Sequence, residues 1–269
     1  MLRNKLRVLL CLCAFLPVVA TLAACGGGTE EGTPEAAQAP AGPPVDLTDA
    51  GGVKGVIRYT GPDTDTRLPL EADPVCSGLH KDGPVDSGAV VAKDGQLANA
   101  FVYVKSGLEG KSFPVPAEAK LLDQQGCIYT PRVLGVQVGQ TLKIKNSDPT
   151  LHNVSALPKV NGEFNESQPI PGMEFDKKFD KPEVMVHFKC NVHPWMTAFV
   201  GVLPHPYFAV TGENGAFDLA KLPPGTYTLE AWHESLGTQT QQVTVAPNQT
   251  AEVTFEFPAA ASPAAATGG

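Results

Sequence analysis

The residues able to do chemistry concentrate in one short run, Cys190-Asn191-Val192-His193-Pro194-Trp195-Met196. A Cys, a His three positions on and a Met three further offer a thiolate, an imidazole and a thioether within one loop. A second run, Asn146-Ser147-Asp148-Pro149-Thr150-Leu151-His152-Asn153, ends a strand-like segment and places another imidazole 38 residues before Cys190. Two His and one Cys in a plane, with a weak axial Met, form the ligand set of an electron-transfer copper site. Soft sulfur suits Cu(I) and imidazole suits both copper states, so the mixed set holds either with little rearrangement. A thioether is a poor zinc ligand. A dinuclear copper centre would need a second Cys nearby, and a multicopper cluster would need His-x-His pairs; the sequence has neither. A Cys or Met on a β face is ordinarily core, and a lone His is ordinarily structural. Four ligand types at this spacing, in a chain with only six His and four Met, argue against coincidence.

Such ligands need short strands to hold them, and the composition supplies them. The chain of 269 residues is 42% hydrophobic and 18% charged, enough to bury a core, and its 27 Gly and 25 Pro favour many strands joined by turns over long helices. Candidate strands cover 53–59, 100–105, 119–123, 135–138, 141–146, 177–179, 183–190, 198–203, 208–211, 216–219, 225–232, 238–245 and 250–257. Asp94-Gly95, Asn214-Gly215 and Pro223-Pro224-Gly225 mark turns between them. In the last segment Val253, Phe255 and Phe257 share one face, as a half-buried strand requires. No helical period persists over three turns. The expected class is all-β, a sandwich or barrel.

The alternation Val186-x-Phe188-x-Cys190, the C-x₂-H-x₂-M loop and the strand–N-x-D–His-Asn run over 136–153 together resemble the cupredoxins, the blue-copper family that includes plastocyanin and amicyanin. The resemblance covers about residues 107–204. It implies a Greek-key sandwich binding one type 1 copper ion through His152, Cys190, His193 and Met196. It also implies that Asn153 ties the ligand loops together and donates toward the Cys190 sulfur. His152 would be buried. His193 would lie near the surface between Pro194 and Trp195, its exposed edge serving as the electron port. With Cys190 assigned to the metal, Cys76 and Cys127, 51 residues apart, remain to form a disulfide; two free buried thiols are the alternative.

Residues 208–257, with Asn214-Gly215-x-Phe217 and the run from Leu222 to Leu229, resemble the carboxypeptidase regulatory-like, or transthyretin-like, sandwich. That domain needs early strands, and 53–59 and 100–105 fit. The expectation is a copper domain inserted into a discontinuous sandwich of 51–106 with 205–257; a tandem order is the alternative. No peptidase zinc motif, catalytic triad or phosphate loop is present, so the protein reads as a carrier and not as an enzyme. His187 is expected to face solvent or the neighbouring domain. Either His205 or His233 could join a second, type 2-like metal site, although the ordinary structural reading comes first. His80 has no evident partner, and Trp232 reads as a buried strand residue.

The ends carry an address. Arg3, Lys5 and Arg7 precede the uncharged residues 8–24, which are broken by Pro17 and too short for a spanning helix. Leu22-Ala23-Ala24-Cys25 resembles the lipobox of bacterial lipoproteins, implying cleavage before Cys25 and lipidation of its sulfur. Residues 25–50 read as a flexible linker and 258–269 as a disordered tail. The setting expected is the cell envelope: the periplasmic face of the outer membrane or the cell surface. Formal net charge is −8, becoming −11 once three basic residues leave with 1–24. Lack of any later basic run excludes a nucleic-acid surface and favours salt-sensitive association with a basic redox partner, such as a c-type cytochrome. Copper delivery without a redox circuit, and a binding module with a stabilising copper site, are the competing functions.

Overall fold

The computed structural model describes residues 42–62 and 66–259. Cys25, the leader and nearly all of the tail lie outside the described residues. The chain begins a sandwich with β1 (Gly51–Tyr59), follows with a 3₁₀ turn (Leu70–Ala72) and a short helix α1 (Pro74–Leu79), and continues it with β2 (Ala92–Lys93), β3 (Gln96–Leu97) and β4 (Phe101–Ser106). It then builds a second body from β5 (Lys120–Gln124), β6 (Tyr129–Thr130), β7 (Val133–Gln137), β8 (Leu142–Asn146), β9 (His152–Leu157), β10 (Phe164–Gln168), β11 (Glu174–Lys177), β12 (Glu183–Lys189) and β13 (Thr197–Leu203). It returns to the first with β14 (Phe208–Val210), β15 (Ala216–Leu222), β16 (Gly225–His233), β17 (Gly237–Val245) and β18 (Thr250–Phe257).

Strand pairing follows this interruption. In one sandwich β1 lies between β15 and its parallel partner β18, with β3 and β2 at its far end, and faces a sheet ordered β14-β4-β16-β17. The other packs β10-β9-β12-β13-β7 against β11-β8-β5-β6. The class is all-β, and the body carrying the candidate ligands is inserted between β4 and β14. Each sandwich has its own apolar cluster, one around Ile57, Leu97, Leu229 and Phe255, the other around Ile144, Val186, Phe188 and Val200. Alternation explains the burial. Val186 and Phe188 on β12 are fully buried, each side chain contributing about 1.5–3 kcal/mol, while His187 and Lys189, which alternate with them, are only half-buried.

The bodies meet over Phe101 and Tyr103 of β4, Val133 of β7 and Leu203 of β13, with Phe199 packed on Trp232. Arg132, just before β7, adds a two-pronged ion pair to Glu234 at 2.5 and 2.8 Å and donates to the Ser87 carbonyl at 2.6 Å. A planar guanidinium matched to a carboxylate in this way fixes orientation as well as contributing energy. Residues 42–50, expected as the end of a free linker, instead lie against the sandwich: the Ser112 amide donates to the Pro43 carbonyl, and Asn248 donates to Asp49.

Candidate metal centre

β12 ends at the edge of the apolar cluster and delivers Cys190 to it, 2% exposed. The next six residues double back. The Met196 amide donates to the His193 carbonyl at 3.0 Å and the Cys190 amide to the Met196 carbonyl at 3.3 Å. That turn folds Met196 into the same core cluster as Cys190 and points the His193 ring inward. β9 pairs antiparallel with β12, Ser155 opposite Lys189, so His152 at its start arrives beside the turn. Asn146 holds the loop before β9: its amide donates to the carbonyls of Thr150 and Gln168, and its side-chain oxygen accepts from the Asp148 amide.

His152 Nδ1 and His193 Nδ1 lie 3.0 Å apart, and Cys190 Sγ is 3.9 Å from His193 Nδ1. The three ligand atoms fall within 4.8 Å of one another, in reach of one ion at metal–nitrogen bonds of about 2 Å. The sulfur accepts backbone N–H groups from Asn153 and His193, each at 3.4 Å. Asn153 also ties the loops, its side-chain oxygen accepting from the Asn191 amide and its NH₂ reaching Asn165 and the Glu166 carbonyl.

Charge is arranged to match. Burial works against ionising Cys190, yet His152 and the amides of His193, Asn153 and Val192 together hold its thiol below the ordinary range. Burial also opposes protonation of His152, which the Asp148 carboxylate at 2.8 Å and Cys190 overcome. His193 is lowered, mainly by burial. A thiolate beside imidazoles whose Nδ1 atoms converge is a donor set for a soft or borderline ion, and the carboxylates fix the far nitrogens.

Two carboxylates that sequence reasoning passed over face the candidate ligands. Asp148 Oδ1 and Oδ2 accept from the amides of Gly126 and Cys127, both at 2.7 Å, and Oδ2 also meets His152 Nε2. Asp73 lies 3.4 Å from His193 Nε2. Asp73-Pro74 is a legible helix start, a capping acid followed by Pro at the first helical position, although nothing in it points to His193. The nearby disulfide joins Cys76 and Cys127, Cα to Cα 5.6 Å. Its sulfurs fall in one cluster with His193, so further cysteines do approach the site in space, tied to each other. One expectation is corrected. His193 is not an exposed port but 2% exposed, because residues 73–76 and the disulfide lie over it. Pro194 is exposed and Trp195 half-buried, its indole N–H donating to the Cys127 carbonyl at 2.9 Å.

The other histidines have local roles. His80 meets the Gly126 carbonyl at 2.7 Å; His187 stacks on Phe199 and meets Thr197. His205 bonds the Val104 carbonyl, and His233 accepts from the Ser235 amide. Neither of the last two belongs to a metal-capable cluster among the described residues. Trp232 is half-buried between the sandwiches.

Residues 197–258 match the model of the carboxypeptidase regulatory-like domain, a span from β13 to the end of β18. No curated protein matches the chain. Among solved structures, a purple cupredoxin from Nitrosopumilus maritimus is 22% identical with TM-score 0.27, covering 31% of this chain and 98% of its own. A Cu(I) amicyanin variant is 24% identical with TM-score 0.28, covering 38% and 97%. A copper nitrite reductase from Thermus scotoductus SA-01 is 18% identical with TM-score 0.27, covering 54% of this chain and 28% of the enzyme. TM-scores below 0.5 leave the chemistry to be argued from the site itself. The carboxypeptidase regulatory-like family matched over 197–258 is the one that the motifs of 208–257 resemble.

Proposed function

We propose that the protein is a single-copper electron carrier of the type 1 kind. The observation that supports it is the convergence of His152 Nδ1, His193 Nδ1 and Cys190 Sγ within one buried cluster, beside buried Met196. His152, Cys190 and His193 would hold the ion, and buried Met196 would add a thioether. Copper bound there would supply a one-electron Cu(II)/Cu(I) couple, with no bond made or broken in a substrate. The chain's part is to keep the ligands still: Asp148 orients His152, the Asn153 and His193 amides fix the sulfur, and the core around Phe188 and Val200 excludes water.

The setting belongs to the same reading: export, a lipid on Cys25 and a membrane-tethered position in the cell envelope. No helix among the described residues is long and apolar enough to cross a membrane. A basic redox protein, such as a c-type cytochrome, is the partner the acidic charge favours. Adding Cu(II) to the purified soluble chain tests the core of the reading. An intense visible thiolate-to-copper band is expected, and Cys190→Ser abolishes it with little change in melting temperature. Folded wild-type protein that takes up copper without that band would sink the carrier.

A further inference from the structure

We propose that Asp73 is a positioning residue of the metal centre, acting on His193 from a disulfide-held segment that walls off the outer side of that ring. The inference rests on the copper reading for its consequence, but its structural part stands on the apo chain. Asp73 divides its two oxygens. Oδ1 accepts from the amides of Val75 and Cys76, at 2.7 and 3.1 Å, and so starts α1. Oδ2 faces His193 Nε2 at 3.4 Å, 120 residues away in sequence. Val75 and Leu79 of α1 are exposed, so the helix itself buries little beyond Cys76; Leu68 and Leu70 before it pack with Cys76 and Cys127 in a small apolar cluster. The Cys76–Cys127 bond ties that cluster to the inserted sandwich. Cys127 is held in turn by neighbours of both histidines: its carbonyl accepts from Trp195, and its amide donates to Asp148, which also holds His152. One covalent staple therefore sets both carboxylates against the far nitrogens of both imidazoles.

The chemistry follows from the imidazole. A neutral ring carries one N–H and one lone pair, and the partner of one nitrogen decides which is which. A carboxylate at Nε2 draws the proton there and leaves the Nδ1 lone pair facing His152 and Cys190. Trp195 of the same turn packs against one side of the ring, centroids 5.1 Å apart, while Asn191, Val192 and Pro194 are exposed, so Asp73 closes the Nε2 edge that the turn leaves open. With Asp73 in place the ring cannot swing outward without displacing α1. The segment thus fixes the tautomer and obstructs release of the ion.

Asp73→Asn tests this, since the amide oxygen still caps α1 while the charge at His193 is gone. Asp73→Ser is the second variant, a good cap too short to reach the ring. Two readouts are taken. Long-range ¹H–¹⁵N NMR of the apo protein, above the histidine titration range, reports the His193 tautomer. Transfer of Cu(I) from the reduced, loaded protein to bicinchoninate reports release. Wild type is expected to carry the proton on Nε2. The variants should mix the tautomers and release copper about tenfold faster, within the range seen when an outer partner of a metal ligand is lost. Melting temperature should stay within about 2 °C and free thiols at the wild-type count, which separates positioning from unfolding. A wild-type Nδ1–H tautomer, or variants unchanged in both tautomer and release, would overturn the proposal. If the wild type binds no copper, the functional reading fails while the NMR still decides the role of Asp73.

Discussion

Asp148 shows how much of a site can rest on a side chain that is not a ligand. It is almost fully buried and accepts three donors: two amides of the 126–127 turn and the Nε2–H of His152. Truncation to Ala would strand all three in a region closed to water, and each buried donor left unpaired costs about 1–3 kcal/mol. Asp148→Ala is therefore expected to lower stability by about 3 kcal/mol or more, read as the urea midpoint at unchanged slope. A loss below about 0.5 kcal/mol would mean that water reaches these groups after all. The candidate ligands were legible because their types are rare and their spacing carries chemistry: Cys190, His193 and Met196 crowd into seven positions, and His152 follows a polar turn. Asp148 and Asp73 were not, because an acid in a loop is the commonest solvent-facing residue, and its partners are set by chain crossings that no local pattern encodes. The same reason hid the covering of His193. A turn between strands reads as exposed until a distant disulfide lays another segment on it.

Among the elements, strands with an apolar face were readable and strands without one were not. β12 from Val186 onward and β18 from Val253 onward alternate cleanly, and their buried faces match the pattern. β10 is an edge strand whose Asn165, Glu166 and Ser167 all face solvent, so it offers no alternation to find. β9 buries His152 and the run Val154, Ser155 and Ala156, and its polar Asn153 and Ser155 disguise it as loop. α1, six residues long, is too short for a helical period, and only its cap betrays it. β16 carries a testable consequence of burial. Its last residue, His233, is 1% exposed; burial, aided by the positive charge of Arg132, pushes its pKa down to about 4. The unfolded chain returns this group to about 6.5. Between those values the unfolded state binds the extra proton, so the contribution of His233 is complete above pH 6.5 and is lost as pH falls toward 4. The loss between pH 7 and 4.5 amounts to about 2 kcal/mol. Carboxylates with lowered pKa values, Asp148 and Glu183 among them, lose stability in the same direction, so the comparison must be between variants. His233→Asn, which keeps an acceptor for the Ser235 amide, should show a stability–pH slope flatter by that amount in urea titrations. Equal slopes in the two proteins would show that His233 can take its proton without unfolding.

At the scale of the whole molecule the inserted sandwich and its host share a flat apolar contact. Gly135 of β7 and Gly201 of β13 are register partners on adjacent strands. Together they make a bare patch on which the ring of Phe101, from β4 of the host, comes to rest fully buried. A Cβ on Gly201 would sit 2.5 Å from that ring, and one on Gly135 would sit 2.4 Å from Phe208. No side chain fits there without driving the bodies apart. β13 begins directly after Met196, so the contact also backs the strand that follows the metal loop. The chain crosses between the bodies twice, at the end of β4 and the start of β14, and Arg132 bridges them with Glu234. An apolar interface with two covalent crossings should make the wild type melt as one unit, whereas domains joined by small polar contacts move and melt separately. Gly201→Val introduces overpacking of the kind that costs about 1–3 kcal/mol, and here the strain falls on the contact and not on either core. Calorimetry is expected to show one transition in the wild type and, in Gly201→Val, a lowered first transition separating from the second. Unchanged melting in the variant would mean that the sandwiches hold together without this contact, leaving the ion pair, the Cys76–Cys127 disulfide and the two crossings to explain their union.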